Sequence, residues 1–374
     1  MTWRLITDDH VSASFGLAAD DVLAQRVGQG LSSPTLRLYT YQSHCALVGR
    51  FQRVENEIHL DYCRAHGQAV NRRPTGGGAI IMGRDQLGVA LTIPGQGGET
   101  YSQARALMAQ FSEGVLLGLA ELGIQAEFRR KNDIEVQGRK LVGLGIHRAS
   151  SGGLLFHASL LVDLDVSLML HMLNTPFEKI SDKEIATVAG RVSTVRQEVG
   201  GNISLADVRQ AVAAGYQAAF AVALEPGDFT PEECQAIAEL EQEKYLSDEW
   251  VFQTTEVPDA VGTAKVKTPG GLLDVRVTLA GQMLKAVFIA GDFFAADNAI
   301  ADLEASLRWH TSNPEAVAAT LTQCYQRWQA ELATIPLADL TRTIQQAVRQ
   351  ARISEAKTRA DPYGCFVSPG GGND

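Results

Sequence analysis

The stretch Arg72–Ile80, RRPTGGGAI, places two arginines directly before three glycines and then returns to apolar residues. Glycine loses more conformational freedom on folding than any other residue, so a glycine triplet needs a structural reason. One reason is a tight β-turn. The other is a backbone that comes close to a ligand, with the arginines holding the negative charge of that ligand. Strands are predicted on both sides of the triplet, whereas a P-loop and a dinucleotide-binding fingerprint each need a following helix.

The two arginines of this stretch are not equivalent. Arg72 and Arg73 occupy adjacent positions of a predicted strand, and adjacent side chains of a strand point to opposite faces. Only one of them can therefore face a ligand of the loop. We expect the other to be exposed or salt-bridged.

A second stretch, Arg129–Arg148, reads RRKNDIEVQGRKLVGLGIHR. Its alternating pattern predicts a half-buried strand, a turn at Gln137-Gly138 and a second strand that begins at Lys140. Glycines inside that second strand indicate close approach of another backbone or of a ligand. Basic side chains are concentrated here in a net acidic chain, which favours a site for an anionic ligand. The alternative is an ordinary hairpin with a solvated lysine.

Composition limits the class of protein. The chain has 374 residues, is 45% hydrophobic and carries a formal net charge of −10. These values predict a well-packed globular protein and argue against broad binding of nucleic acids or membranes. The five cysteines are scattered, so neither a disulfide framework nor a zinc site is predicted. No apolar run reaches the ~18 residues of a membrane span and no signal-peptide core is recognisable, so the expected location is the cytoplasm.

The pattern of elements predicts a mixed α+β domain over residues 1–245. A small α/β accessory domain is expected over 246–335, and a helical or loose extension over 336–374. Capping boxes at Ser181–Glu184 and Thr230–Glu233 predict two helix starts, the second with proline at its first position. Two strands are predicted around Gly281, and a long helix over Tyr101–Leu122.

Together these stretches resemble the lipoate–protein ligase family, part of a superfamily that includes biotin ligases and octanoyltransferases. RRPTGGGAI is followed by NDIEVQGRKLVG, then by GGLLFHASLLVDLDVSLMLHMLN and EKISDKEIATVAGRVSTV, in the order of that family. Farther on, KAVFIAGDFF and IADLEASLRW resemble its C-terminal accessory domain. The resemblance implies a mixed β-sheet catalytic domain of the biotin/lipoate ligase type with flanking helices.

The resemblance also implies a two-step reaction. Lipoate and MgATP give lipoyl-AMP and pyrophosphate, and the lipoyl group then passes to a lysine of a lipoyl-carrier acceptor, such as an E2 domain or an H protein. Lys140 corresponds to the active-site lysine of the family. Asn132 and Asp133 correspond to the nucleotide-side pair, with Asp133 as the Mg²⁺ contact, and Arg72 or Arg73 to the arginine of the lipoyl pocket. The other candidate binding residues are Thr75, Gly76, Gly77, Gly78, Ala79, Gly143, His157 and Ser159.

Some of these assignments have alternatives. His157 and Ser159 lie on strand patterns, where each side chain could instead have a structural role. Ile81 and Met82 stand where many family members have an aromatic residue and a histidine, which puts the usual loop contact there in question.

Two other functions fit the same fold. One is an octanoyl- or lipoyltransferase that uses no ATP, with a cysteine nucleophile or a lysine in a different setting. No cysteine lies between Ala79 and Glu233, so the sequence favours the ATP-dependent ligase. The other is a non-catalytic protein that binds lipoyl domains, which the presence of Lys140 disfavours. Pyrophosphate release separates the ligase from both alternatives.

Overall fold

The computed structural model describes residues 1–95, 103–129, 132–174, 182–253 and 262–360, without the side chains of 182–184 and 354–360. Backbone contacts divide the chain into two units, Met1–Thr254 and Thr255–Asp374. Within the described ranges no helix is long and apolar enough to cross a membrane.

The strands of the first unit are β1 (Thr2–Val11), β2 (Thr35–Tyr41), β3 (Cys45–Val48), β4 (Ala69–Arg72), β5 (Ile80–Met82), β6 (Gln86–Pro94), β7 (Glu127–Arg129), β8 (Asp133–Val136), β9 (Arg139–Arg148), β10 (Gly153–Leu161) and β11 (Ala223–Pro226). Its helices are α1 (Ala13–Gly28), α2 (Val54–Glu57), α3 (Leu60–Ala65), α4 (Ala104–Glu121), α5 (Val166–Met172), α6 (Asp182–Ala189), α7 (Val195–Val199), α8 (Leu205–Phe220), α9 (Pro231–Leu240) and α10 (Asp248–Phe252). A π-helical turn, Glu241–Tyr245, joins α9 to the segment before α10.

The main sheet has eight strands in the order β11-β1-β2-β6-β10-β9-β8-β7. β1 runs parallel to both β11 and β2, and every other neighbouring pair is antiparallel. The predicted mixed α+β class is therefore confirmed. The predicted turn at Gln137-Gly138 is also present, with φ values of 49° and 77° that suit a tight hairpin.

The two faces of this sheet carry separate cores, because side chains alternate along each strand. Leu36, Val89 and Phe156 belong to the core under α4 and α8. Tyr39 and Leu155 belong to the core under α1. The candidate site residues of β9 and β10 lie on the sheet face that α1 covers.

A smaller sheet holds the glycine triplet. β3 is its central strand and pairs in parallel with β4 and antiparallel with β5. The triplet lies in the connection from β4 to β5, so both ends of the loop are fixed by pairing with one strand. The sequence predicted strands on both sides of the triplet, but not the central strand β3.

The first unit extends beyond the boundary that was expected near residue 245. α10 packs against β4, where Trp250 Nε1 donates a hydrogen bond to the Arg72 carbonyl at 2.9 Å. Arg72 Nε in turn donates to the carbonyls of Trp250 and Val251, at 3.0 and 3.2 Å. Residues 246–253 therefore belong with the glycine loop and not with the accessory domain.

We expect a chain that ends at Gln253 to fold stably, and a chain that ends at Tyr245 to be less stable by about 1–3 kcal/mol. The shorter chain leaves part of the buried Arg72 guanidinium without acceptors, and unsatisfied buried donors carry a cost of this size. Urea denaturation of both chains measures the difference. Equal free energies of unfolding would show that α10 contributes nothing to the unit.

The second unit contains a four-stranded antiparallel sheet in the order β12-β13-β14-β15. Its described elements are β12 (Gly262–Thr268), β13 (Gly271–Ala280), β14 (Met283–Gly291), α11 (Asp297–Leu307), β15 (His310–Thr311), α12 (Pro314–Arg327) and α13 (Leu337–Ala360). The predicted strands around Gly281 are β13 and β14.

The extension expected over 336–374 is in part a structural element of this second unit. α13 lies against β12, where a Cβ on Gly262 would come within 2.1 Å of the Ala347 carbonyl oxygen. This close approach explains the glycine there. Residues 361–374, Tyr101 and Ser181 lie outside the described ranges, so the predictions made for them stay predictions.

Candidate active site

A cleft opens on the α1 face of the main sheet. Most of the candidate residues from the second stretch border it, together with Arg73 and the end of the glycine loop. The lining residues are Leu17, Tyr39, Tyr41, Leu47, Arg73, Gly78, Ala79, Ile80, Met82, Asn132, Asp133, Lys140, Gly143, Leu144, His157, Ala158 and Ser159.

A row of paired residues forms the floor of this cleft. Across neighbouring strands, Tyr39 pairs with Gly88, Gly88 with Ser159, Ser159 with Gly143, and Gly143 with Asp133. A Cβ on Gly88 would lie 2.5 Å from the Tyr39 ring, so that ring covers Gly88. Gly88 and Gly143 are two strands apart, which corresponds to about 10 Å.

Lys140 stands at the polar end of the row. Its Nζ lies 2.7 Å from Asp133 Oδ1, and the two side chains are 34% and 21% exposed. A Cβ on Gly143 would lie 3.2 Å from the same Nζ. Because residue 143 is glycine, the Lys140 side chain has room to lie over the floor of the cleft.

Asn132 lies beside this ion pair. Its side-chain amide donates to the Leu144 carbonyl at 3.0 Å, which fixes the side chain at the edge of the cleft. No group of three His, Cys, Asp or Glu side chains is placed to hold a metal ion in the ranges that the structure describes. Asp133, the expected Mg²⁺ contact, is paired with Lys140 in the structure.

Arg73 is the arginine that faces the cleft, and it also shapes the glycine loop. Its guanidinium donates to the carbonyls of Gly78 at 2.6 Å, Leu47 at 3.1 Å and Gly76 at 3.2 Å. Burial lowers the pKa of Arg73 to about 10, so the side chain remains a cation at neutral pH. It thus places a buried positive charge behind the loop.

Arg72 points to the other side of β4, as the strand geometry predicted. The expectation that this second arginine is exposed or salt-bridged is wrong. It is fully buried, and its Nη1 donates to the carbonyls of Gly49, Arg50 and Gln52, at 2.9, 3.0 and 2.6 Å. Burial, with a smaller effect of the cation Arg50, lowers the pKa of Arg72 to about 9. Arg72 therefore supports the loop and does not line the cleft.

Thr75 and His157 join the glycine loop to the floor. Thr75 Oγ1 and His157 Nε2 are 2.8 Å apart in a hydrogen bond that lies over Gly145. A Cβ at Gly145 would come within 2.4 Å of His157 Nε2. Burial and then the charge of Arg73 lower the pKa of His157 to about 3, so its imidazole is neutral at physiological pH.

This lowered pKa predicts a pH dependence of stability. Between pH 6.5 and about 3, the unfolded state binds a proton at His157 that the folded state does not bind. The free energy of unfolding should therefore fall as the pH is lowered through this window, by up to about 1.4 kcal/mol per pH unit. His157→Gln should show a smaller fall in urea denaturation between pH 6.5 and 4. If the variant shows the same pH dependence of stability as wild type, the lowered pKa of His157 is contradicted.

Ser159 and Met82 meet in the middle of the cleft. Ser159 Oγ donates to Met82 Sδ at 2.9 Å. Met82 thus lies in the cleft wall and accepts the hydrogen bond of the serine. Thr75, Gly76 and Gly77 do not line the cleft, whereas Gly78 and Ala79 do.

A buried charged network that the sequence did not predict adjoins Tyr39, which lines the far end of the cleft. Arg37 is fully buried, and its Nη1 donates to Asp20 Oδ1 at 2.7 Å while its Nη2 donates to Asp8 Oδ2 at 2.8 Å. The Tyr39 hydroxyl donates to Asp20 Oδ2 at 3.2 Å, and the Arg37 guanidinium lies 4.0 Å from the Tyr39 ring centroid. The signal in the sequence was an Asp-Asp pair inside an apolar helix, opposite an arginine in an apolar strand.

None of the cysteines in the described ranges lines the cleft. Cys45 is buried in β3, and burial raises the pKa of its thiol to about 12. Cys63 and Cys324 are also buried, and Cys234 is exposed on α9. A thiol with a raised pKa is a poor nucleophile at neutral pH.

Comparison with known protein families shows which family this chain belongs to. The model of the lipoyl protein ligase A/B catalytic domain matches residues 12–217, more than half of the 374-residue chain. The chain belongs to this family. The match includes every candidate site residue named above.

Two curated relatives of this lipoyl protein ligase A/B family member are octanoyltransferases. The octanoyltransferase LipM of Kyrpidia tusciae is 31% identical over 277 residues, which are 67% of this chain and 99% of the relative. The octanoyltransferase LipM of Symbiobacterium thermophilum is 31% identical over 275 residues, which are 66% of this chain and 97% of the relative.

Two solved structures that this chain resembles are named as lipoate protein ligases. A bi-partite lipoate protein ligase of Thermoplasma acidophilum, described with its E2 lipoyl domain, has a TM-score of 0.60 at 27% identity, over 67% of this chain and 96% of that one. Lipoate-protein ligase A bound with ATP has a TM-score of 0.59 at 26% identity, over 67% of this chain and 98% of that one. LipL1 of P. falciparum has a TM-score of 0.67 over 86% of this chain and 94% of that one, and at 17% identity the likeness concerns the fold alone.

Proposed function

We propose that this family member transfers an octanoyl or lipoyl group to a lysine of a lipoyl-carrier domain. The observation that carries the proposal is the cleft floor, which runs from the Tyr39 ring to the Lys140 amine across about two strand spacings, or about 10 Å. An extended eight-carbon acyl chain is about 9 Å long, given C–C bonds near 1.5 Å. The chain would lie over Ser159 with its carbonyl at Lys140.

The curated relatives favour an acyl donor that is already activated. They match two thirds of this chain over almost their whole length, and they are named octanoyltransferases. A transferase takes its acyl group from such a donor, for example a thioester, and needs no nucleotide. The ATP-dependent ligation expected from the sequence, with Mg²⁺ and an adenylate intermediate, is not confirmed by these relatives. We therefore place nucleotide-independent transfer first.

The chemistry of direct transfer is simple. The amine of the acceptor lysine attacks the thioester carbonyl, the new C–N bond forms, and the C–S bond breaks to release the donor thiol with the proton of the amine. Negative charge develops on the carbonyl oxygen during the attack. The Lys140 ammonium, placed by its ion pair with Asp133, offsets that charge.

The acceptor is proposed from a structural relative. The Thermoplasma acidophilum ligase is described with the E2 lipoyl domain of its lipoylation system. A lysine side chain on such a domain is long and flexible enough to enter a cleft whose polar end is partly exposed. E2 domains and H proteins are both candidates.

A second candidate function is ATP-dependent ligation, and one observation favours it over a transferase that forms an acyl-enzyme. No described cysteine lines the cleft, so an acyl-enzyme thioester has no residue to form on within the described ranges. The similarity to lipoate-protein ligase A bound with ATP agrees with this alternative. In that case Asn132 and Asp133 would face the nucleotide.

One experiment distinguishes the two functions. The protein is incubated with an E2 lipoyl domain and either an octanoyl thioester of acyl-carrier protein without nucleotide, or octanoate or lipoate with MgATP. Acceptor mass and pyrophosphate are measured in each reaction. We expect acylation from the thioester with no pyrophosphate. Acylation only with MgATP, with one pyrophosphate per acyl group, would establish the ligase instead.

Direct transfer also makes a prediction for the cysteines. A variant in which Cys45, Cys63, Cys324 and Cys365 become alanine and Cys234 becomes serine should retain acyl transfer per folded molecule, because no thiol attacks the donor. The measurement is kcat for acceptor acylation, normalised to the folded fraction by circular dichroism. Loss of transfer on removal of one cysteine, with the fold retained, would establish a covalent acyl-enzyme.

A further inference from the structure

Lys140 lies where the regular pairing of β9 is interrupted on both sides. On the β8 side the register shifts just before the Glu135–Lys140 pair, which is the pattern of a β-bulge. On the β10 side the regular ladder begins only at the pair of Leu160 with Val142, two residues after Lys140 in the chain. The backbone of Lys140 therefore has no β10 partner.

A separate segment takes the place of β10 at this position. The Lys140 N–H donates to the Arg191 carbonyl at 2.9 Å, and the Ser193 N–H donates to the Lys140 carbonyl at 2.8 Å. Val192 forms a parallel bridge with Lys140. We call residues 191–193 the brace segment. It satisfies both backbone groups of Lys140, which would otherwise lack partners in the sheet.

The brace segment is tied back to β9 by side chains. Glu198 Oε1 accepts a hydrogen bond from Arg139 Nη2 at 2.7 Å and another from the Ser193 hydroxyl. Ser193 is fully buried, and the Glu198 side chain is 12% exposed. Arg139 directly precedes Lys140 in the chain. The brace segment therefore binds the Lys140 backbone, and Glu198 connects the brace segment to Arg139, the residue before Lys140.

We propose that Arg139, Ser193 and Glu198 are positioning residues for Lys140. None of the three lines the cleft or belongs to the Lys140–Asp133 ion pair, so they act through the backbone of the lysine. The inference rests on the proposed role of Lys140 in acyl transfer. A displacement of a catalytic group by about 1 Å can cost about 100-fold in rate, so a partly loosened brace should have a measurable effect on kcat.

The test compares two glutamate-to-glutamine variants of the full chain. Glu198→Gln weakens the brace. Glu233→Gln weakens a buried ion pair of the same unit, in which Glu233 accepts two 2.8 Å hydrogen bonds from Arg4 and neither residue lines the cleft. We expect Glu198→Gln to lower kcat about three- to tenfold with the KM for the acyl donor unchanged. Glu233→Gln should lower the melting temperature and leave kcat per folded molecule unchanged.

A second measurement does not depend on activity. Hydrogen exchange of the Lys140 amide should become faster in Glu198→Gln than in wild type, and it should not change in Glu233→Gln beyond the global change in stability. The double variant Arg139→Glu, Glu198→Arg restores the ion pair with the charges exchanged. Its kcat should therefore lie between that of Glu198→Gln and that of wild type.

Failure of the positioning role and failure of the proposed function would give different results. A kcat that is unchanged in Glu198→Gln, or that falls equally in both variants, would overturn the positioning role. So would an unchanged rate of Lys140 amide exchange. Wild-type protein that acylates no acceptor with either donor would instead overturn the proposed function, and the exchange experiment would still decide whether the brace holds Lys140.

Discussion

Lys140→Ala is expected to lower kcat for acyl transfer by about 10²–10³-fold, the usual effect of removing one group that stabilises a developing oxyanion. The variant loses the ammonium that faces the donor carbonyl. It should retain the fold, because the Lys140 side chain is 34% exposed and such an ion pair contributes about 0–1 kcal/mol. Lys140→Arg should recover little activity, since a planar guanidinium replaces a compact ammonium.

The chain offers a matched control for this variant. Lys244 Nζ lies 2.8 Å from Asp21 Oδ2, its side chain is 24% exposed, and it does not line the cleft. Lys244→Ala should therefore lose at least as much stability as Lys140→Ala but keep its kcat. Kinetics of acceptor acylation and urea denaturation of both variants give the comparison. Near wild-type kcat for Lys140→Ala would contradict the assignment of Lys140.

Valine at two adjacent glycines should have opposite effects. A Cβ on Gly78 meets nothing within 4 Å, and Gly78 lines the cleft. Gly78→Val should therefore fill the cleft and lower kcat/KM more than tenfold, while the melting temperature stays near that of wild type. Gly77 has a φ of 95°, where a β-branched residue is strained. Gly77→Val should lose about 1–3 kcal/mol of stability.

The two glycine variants serve as controls for each other, since each adds the same side chain to the same loop. The measurements are kcat/KM for the acyl donor and the free energy of unfolding. A loop that is only a turn would give the reverse for Gly78→Val: a loss of stability with activity per folded molecule unchanged. That result would show that the glycine loop does not take part in substrate binding.

The sequence predicted the local features of the site well, because they depend on neighbouring residues. The hairpin around Gln137-Gly138 and the opposite orientations of Arg72 and Arg73 follow from turn chemistry and strand alternation. The helix start at Thr230 is present with its capping box and its proline. The Lys140–Asp133 ion pair was not predicted, because the register pairs Lys140 with Glu135 and Asp133 with Gly143 across an irregularity of the hairpin.

Other features depend on contacts between distant parts of the chain, which periodicity does not encode. The charge of Arg37 is compensated by Asp8 and Asp20 from two other elements, so the alternating strand alone did not reveal the network. Arg72 was misjudged for a similar reason, because its partners are backbone carbonyls of other segments. The same contacts explain why the domain boundary was placed too early.

A crystal structure with an octanoyl ketone, in which a methylene replaces the sulfur of the thioester donor, tests the proposed role of the cleft most directly. We expect the carbonyl oxygen within hydrogen-bond distance of Lys140 Nζ, the chain over Ser159, and its methyl end against the Tyr39 ring. An acyl chain that runs in the opposite direction, or an analogue bound outside the cleft, would contradict the account.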